Sequence, residues 1–310
     1  MADVNTTANY EFRNNLELQL QQTQSLLWDT CEEQDCTGAE KETVKDLIGS
    51  SRPQEADERY GDLKQTSPGH DRVWIVKPNE LYFNEFVDGS DQLATKIALD
   101  GGYTMAAMAT IHRAWDSRIL EGMYGSMLMG KEGSTSVPFG AGMVVPVTTG
   151  GASGAQRMNV AKVRAAKVLL GQNFNDATDK RFLALSEVQA DDLLSEVQAT
   201  HADYAKTFGV RVDGEGNLIG LLGFNIVRIE LRNPDLLAFQ KGLTVTAGTN
   251  YTRNPFWTYS GIRKGVWKKL RTAIKDQPSK VDVRSVFAGT TMAATRTQAG
   301  KVGIIENSEA

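Results

Sequence analysis

The stretch Gly125-Ser-Met-Leu-Met-Gly-Lys-Glu132 comes nearest to a chemical motif. Its spacing fits the phosphate loop G-x-x-x-x-G-K, where backbone N–H groups and a lysine cradle a nucleotide. The next residue is Glu132, where a hydroxyl should hold magnesium. A carboxylate there repels phosphate, and the stretch follows a helical pattern instead of leading a strand into a helix. ATP binding is not expected. Gly150-Gly-Ala-Ser-Gly154 precedes another helical pattern, so an anion could sit on that helix start. Such stretches are more often plain connections. His70, His112 and His201 are widely spaced, with no nucleophile or acid–base partner in a recognisable pattern beside them. Cys31 and Cys36 have no histidine nearby and make a poor zinc site. No catalytic residue, no cofactor-binding residue and no metal ligand is assigned. The chain is read as a non-enzyme without a cofactor.

The run from Arg263 to Arg271 carries the densest charge. One reading is contact with a nucleic-acid backbone, with Trp267 stacking. The favoured reading is a solvated or partner-facing strand side, or a contact with an acidic segment of a neighbour. Residues 1–70 hold fourteen acidic and six basic side chains, and residues 251–301 hold two and eleven. Opposite charge at the two ends favours contact between them, within a chain or between copies. Hydrophobic content of 41% and charged content of 23% are those of a globular protein. The most apolar run, residues 218–227, is interrupted by Gly220, Gly223 and Asn225 and is too short to span a bilayer. No membrane partner and no secretory signal are expected, and a reducing cytoplasm fits.

The element that must organise these residues is a long helix. Met105, Met108, Ile111, Trp115, Ile119 and Met123 recur at steps of three or four, which puts them on one face. Asp100 is expected as N-cap and Gly125 as a left-handed stop. The wet side is expected to carry the pairs Arg113 with Asp116 and Arg118 with Glu121. From residue 103 to 124 the rod is about 33 Å long and needs a long platform.

Further helices are expected at 8–29 (with Phe12, Leu16, Leu20 and Leu27 inward), 41–48, 91–99, 159–170 stopped by Gly171, and 187–200 capped by Ser186. Strands are expected at 71–76, 80–86, 181–185, 218–231, 243–249 and 257–270. Residues 281–297 and 301–305 are expected to form a long pair. Segment 32–63 reads as extended or mobile. With no βαβ rhythm, the class is α+β.

The order of segments resembles the major capsid proteins of tailed double-stranded DNA bacteriophages. The resemblance rests on Arg72-Val-Trp-Ile-Val, Phe83-Asn-Glu-Phe-Val-Asp, the long helix ending Ile119-Leu-Glu-Gly-Met-Tyr-Gly125, and Val160-Ala-Lys-Val-Arg-Ala-Ala-Lys-Val-Leu-Leu170. It continues with Phe182-Leu-Ala-Leu-Ser186, Asp191-Asp-Leu-Leu194, Gly223-Phe224 and the closing run from Ala288 to Val302. It implies the Hong Kong ninety-seven type of shell fold. Its expected parts are an N-terminal arm (1–48) reaching to neighbours and an extended β loop (49–90). A peripheral domain with the spine helix (91–150), an axial domain (151–278) and returning peripheral strands (279–310) follow. It further implies hexamers and pentamers of an icosahedral head, with scaffolding, portal and sometimes decoration proteins as partners. Packaged double-stranded DNA would lie on the inner face without sequence specificity. The expected places are the virion and, during assembly, the host cytoplasm. The alternatives are a cellular nanocompartment shell of the same fold and, less favoured, a cytosolic nucleotide-binding enzyme.

Overall fold

The computed structural model describes residues 21–55, 65–88, 99–151, 154–198, 209–231, 251–277 and 283–308. In these, β1 (Glu32–Asp35), β2 (Lys41–Ile48), β3 (His70–Val76) and β4 (Leu81–Asp88) precede the long helix α1 (Leu99–Tyr124). β5 (Met127–Met129), β6 (Thr135–Val137) and β7 (Val144–Val145) follow. Next come α2 (Val160–Gln172), β8 (Arg181–Leu185) and α3 (Glu187–Gln198). The rest is β9 (Arg211–Val212), β10 (Leu218–Leu221), β11 (Phe224–Arg228), β12 (Tyr251–Thr258), β13 (Ile262–Asp276), β14 (Val283–Arg296) and β15 (Val302–Ser308).

The strands form three sheets, ordered β1-β13-β14-β4, β7-β15-β12-β8-β11-β10-β9 and β2-β3-β5-β6. The chain divides into two compact units. The smaller holds Met1–Gln24, Glu80–Arg113 and Lys268–Thr290, and the larger holds Ser25–Asn79, Ala114–Trp267 and Thr291–Ala310. The helices and sheets together make an α+β chain, as the sequence predicts.

In the larger unit, α2 and α3 cover the seven-stranded sheet. Val163, Ala166, Leu170, Leu183, Leu193, Phe224 and Phe256 form its core. β8 is a continuous apolar run because it is sandwiched between β11, parallel, and β12, antiparallel. Asn159 caps α2 by accepting from the Lys162 N–H at 2.9 Å. Ser186 and Gln189 bond reciprocally at the start of α3, a capping box.

Several sequence expectations are corrected. α1 starts at Leu99, so Asp100 lies inside it, and the rod is about 39 Å long. Gly125 ends it without a left-handed turn; its N–H donates to the Glu121 carbonyl at 2.8 Å. The Gly125 carbonyl is instead taken by the Arg296 guanidinium at 2.7 Å, a cation at a helix C-terminus. Gly171 lies within α2. The left-handed residue is Phe174 (φ 56°), with Phe174 N–H on Gly171 and Asn175 N–H on Leu170 closing the end.

Residues 41–48 are a strand, not a helix. Their alternation buries Val44, and β3 supplies the ladder. The expected boundary between arm and loop at 48/49 therefore cuts a hairpin. Residues 218–231 are two strands, turned at Leu222 (φ 54°) and Gly223 (φ 89°). β14 and β15 do not pair with each other: β15 joins the seven-stranded sheet beside β12, so the closing strands are not one unit. Residues 21–27 are not helical and 28–30 form one 3-10 turn. The remainder of the expected first helix, the helix at 91–98 and the strand at 243–249 lie outside the described residues.

Gly122 sets how α1 meets β14 in the larger unit. A Cβ there would stand 2.8 Å from Ala294 Cβ and closer still to its carbonyl. Only a bare Cα allows that approach. Gly122→Ala should therefore lower the melting midpoint, although alanine in an ordinary helix interior gains about 1 kcal/mol over glycine. A raised midpoint in thermal unfolding would count against the close contact.

Candidate interaction surfaces

The residues singled out for chemistry do not assemble into a reactive site. Met127–Met129 and Thr135–Val137 pair as a hairpin, so the near-phosphate stretch is its first strand and the start of its turn. The Lys41 ammonium bonds the Glu132 carbonyl across that turn. The helix start after Gly150 is already filled: Glu196 accepts from the Val160 N–H at 2.8 Å, beside the Asn159 cap. Cys31 and Cys36 are free and buried, and burial pushes both thiols up to about 12. His201 lies outside the described residues. Among the described residues, no group of three or more His, Cys, Asp or Glu could hold a metal, and no helix is long and apolar enough to cross a membrane.

The basic run lies on β13. In the larger unit Arg263 bonds Glu32, and Lys264 lies 3.4 Å from Glu33. β1 runs parallel to β13 with Glu32 opposite Arg263 and Glu33 opposite Lys264. The acidic segment expected from a neighbour is thus supplied by the same chain. In the smaller unit a shallow groove on the sheet is lined by Glu80, Tyr82, Asn84, Lys268, Arg271 and Phe287. Lys268 pairs with Glu80 at 2.5 Å. Lys275 and Ser285 add to its polar lining.

What the larger unit does hold is a fixed strap. Asp116 of α1 is fully buried and accepts from Ser25 Oγ at 2.5 Å, Leu26 N–H at 3.0 Å and Leu27 N–H at 3.1 Å. Leu27 is buried behind these bonds. Trp28 then lies 4.3 Å from the Trp115 ring, and the Lys264 ammonium sits 3.8 Å from the centre of Trp28. Lys264 also donates to the Trp28 carbonyl, and burial lowers its pKa. The Trp257 indole N–H reaches the Thr30 carbonyl at 3.1 Å. Arg113 and Asp116, expected on the wet side from their spacing, are both buried. Arg118 and Glu121 do pair, at 2.8 Å.

A second buried cation ties α2 to β15. Lys162 donates to the carbonyls of Gln156 and Glu306 and to Asn307 Oδ1, at 2.7, 2.9 and 3.0 Å. Burial pulls its pKa down to about 8. These are joints between elements, built from hydrogen bonds to buried polar groups.

Comparison with known proteins gives the joints their context. The sequence matches the phage capsid protein family over residues 4–309. The chain belongs to that family. Its fold is that of tailed-phage capsids. The capsid of Cyanophage P-SCSP1u superposes with a TM-score of 0.70 at 11% identity, covering 98% of this chain and 94% of that one. The Cyanophage Pam1 capsid gives 0.69 at 11%, covering 100% of both, and the Ralstonia phage GP4 capsid gives 0.66 at 12%, covering 97% and 95%. No curated protein matches.

The partners of Asp116 and Trp28 in this capsid protein escape a sequence reading, whereas Leu27 is inward as expected but not on a helix. Asp116 looks like a surface acid in a helix, and the three donors on residues 25–27 lie about ninety residues away. Gly122 alone left a signal, as a glycine in an otherwise strong helical pattern.

Asp116→Ala should cost about 2–4 kcal/mol, since it strands buried donors. It should also speed iodoacetamide labelling of Cys31, which is slow in the native chain because the thiolate is scarce. Equal labelling rates would show that the strap does not depend on Asp116. Lys162 has a folded pKa below its ordinary 10.5. The unfolded chain thus binds more protons between about pH 8 and 10.5, and Lys162's contribution becomes more favourable as pH rises through that window. The stability of the wild type relative to Lys162→Met should rise accordingly in denaturant titrations; a difference independent of pH would contradict the burial.

Proposed function

We propose that this capsid protein is the major structural subunit of a tailed-phage head. Copies associate into hexamers and pentamers that close an icosahedral shell around double-stranded DNA. Scaffolding and portal proteins, and in some heads a decoration protein, are the further partners. The protein works in the virion after assembling in the host cytoplasm. Its role is structural, and no residue performs catalysis. The axial part is assigned to 151–278, the peripheral part to the spine helix with β4, β13 and β14, and the projecting loop to the β2–β3 hairpin.

The observation that carries this reading is that hairpin. β2 and β3 stay paired out to Gly49, whose N–H donates to Gly69 at 2.7 Å. Beyond it, residues 49–55 are exposed and Ile48 is 70% exposed. A hairpin tip with no core of its own is marginal in water. Ordering such a tip costs about 1–2 kcal/mol per residue, which the surface of a neighbour would have to offset. Capsid family membership supplies the neighbour: another copy.

Electron microscopy of the expressed chain with its scaffold should show closed shells or capsomers. A persistent monomer would sink the proposal, and native shells free of nucleic acid would favour the nanocompartment. Replacing residues 52–68 by a short Gly/Ser linker should leave circular dichroism near native yet block closure. Outright unfolding would place the tip in the subunit's own core.

A further inference from the structure

The smaller unit presents rings and unpaired cations on one face of its sheet. Tyr82, Asn84 and Phe86 share a face of β4 and are exposed, Tyr82 to 69%. Opposite them on β14 stand Gly289, Phe287 and Ser285. Gly289 leaves room for the Phe287 ring to lean over it; a Cβ there would stand 2.9 Å from that ring. Phe287 in turn stacks beside Tyr82, with ring centres 6.1 Å apart and planes 20° apart. Tyr82 is thus backed by a ring on one side, while most of its surface faces solvent.

β13 lines the same groove with Arg271, Ala273 and Lys275, alternate residues of one strand face. Gln277 N–H donates to the Val283 carbonyl at 2.9 Å and so ties the far ends of β13 and β14 together. Ala273 keeps the floor low between two cations that stand about 13 Å apart along the strand. Nearby cations are engaged, Lys268 with Glu80 at 2.5 Å and Arg284 with Asp276 at 3.4 Å. Arg271 and Lys275 are exposed and hold no ion pair among the described residues. The groove encloses about 440 Å³, the size of a small-ligand site. β14 separates β13 from β4, so the cations and Tyr82 lie two strand spacings apart, about 10 Å.

Unpaired cations along a strand suit a chain of anions, and a bare, buttressed ring suits a flat apolar face. An acidic peptide would meet the cations and leave the ring unused. A nucleic-acid duplex offers phosphates but keeps its bases stacked inside. A single strand offers both at once, phosphates along its backbone and bases free to stack. We infer that this groove binds single-stranded nucleic acid, with phosphates on Arg271 and Lys275 and a base stacked on Tyr82. Stacking and charge carry the contact, so it is tolerant of sequence. The site lies within one chain and does not rest on the shell reading.

The test titrates full-length chain, kept unassembled by dilution, into a labelled oligothymidylate of about twelve nucleotides, with anisotropy read at several salt concentrations. Saturable binding is expected. Tyr82→Ala should weaken it about tenfold, and Tyr82→Phe, which keeps the ring, should leave it unchanged. Arg271→Ala with Lys275→Ala should lower the slope of log K against log salt by about 1.4, roughly 0.7 for each phosphate. Arg164→Ala with Lys167→Ala removes the same charge from exposed positions on α2 and should change the slope little. All these positions are exposed, so circular dichroism should stay near native. No saturable binding, an unchanged affinity for Tyr82→Ala, or an equal slope loss from the α2 control would overturn the inference. A duplex of the same length that binds as tightly would overturn it too. Poly-glutamate that displaces the oligonucleotide at equal charge would make the groove a seat for acidic peptide and overturn it as well.

Discussion

A buried carboxylate fixes where residues 25–31 meet the long helix. From residues 25–27 Asp116 accepts a hydroxyl and two backbone N–H groups. A buried charge left without such donors would cost far more than its bonds return. The strap therefore has one register. Shifted by a residue, Leu27 leaves its pocket, Trp28 loses Trp115 and the Lys264 ammonium loses a ring and a carbonyl. With that register set, β1 begins at Glu32 opposite Arg263, and the charge pairing along β1 and β13 follows. The opposite net charges of the two chain ends are thus consumed in part inside one subunit.

The relation to other capsids is one of packing. At 10–14% identity, tailed-phage capsids overlay nearly the whole chain. The fold rests on packing. It asks for apolar residues at helical and strand spacings, for caps, and for a few buried polar joints. Those demands can be met by many residue combinations, so the fold tolerates wide divergence.

The sequence made the long helix, α2, α3, β3 and β8 legible because each has a strong period or a continuous apolar run, although the cap and stop of α1 and the stop of α2 fall elsewhere than spacing suggests. The apolar stripe on α1 was also legible, though Met105 and Met108 are exposed while Trp115, Ile119 and Met123 are buried. Less legible was whatever depends on distant partners. Lys41–Ile48 has enough charge to suit a helix, and only the ladder to β3 decides for a strand. β14 and β15 both look like long β-branched strands, and nothing local says that they enter different sheets. Leu222 and Phe174 adopt left-handed backbone that their types do not advertise. The basic run was legible as a strand side, but its acidic partner stayed open between the same chain and a copy, since spacing cannot tell a chain from its copy.

The contact at Gly122 also decides which movements the helix can make. A helix that slides along its own axis by one residue turns through about 100° and rises about 1.5 Å. Either shift would bring the side chain of Glu121 or Met123 onto Ala294, where not even a methyl fits. Sliding is blocked in both directions. The end of α1 in the larger unit is therefore fixed in register: strain reaching the helix cannot push it past the strand.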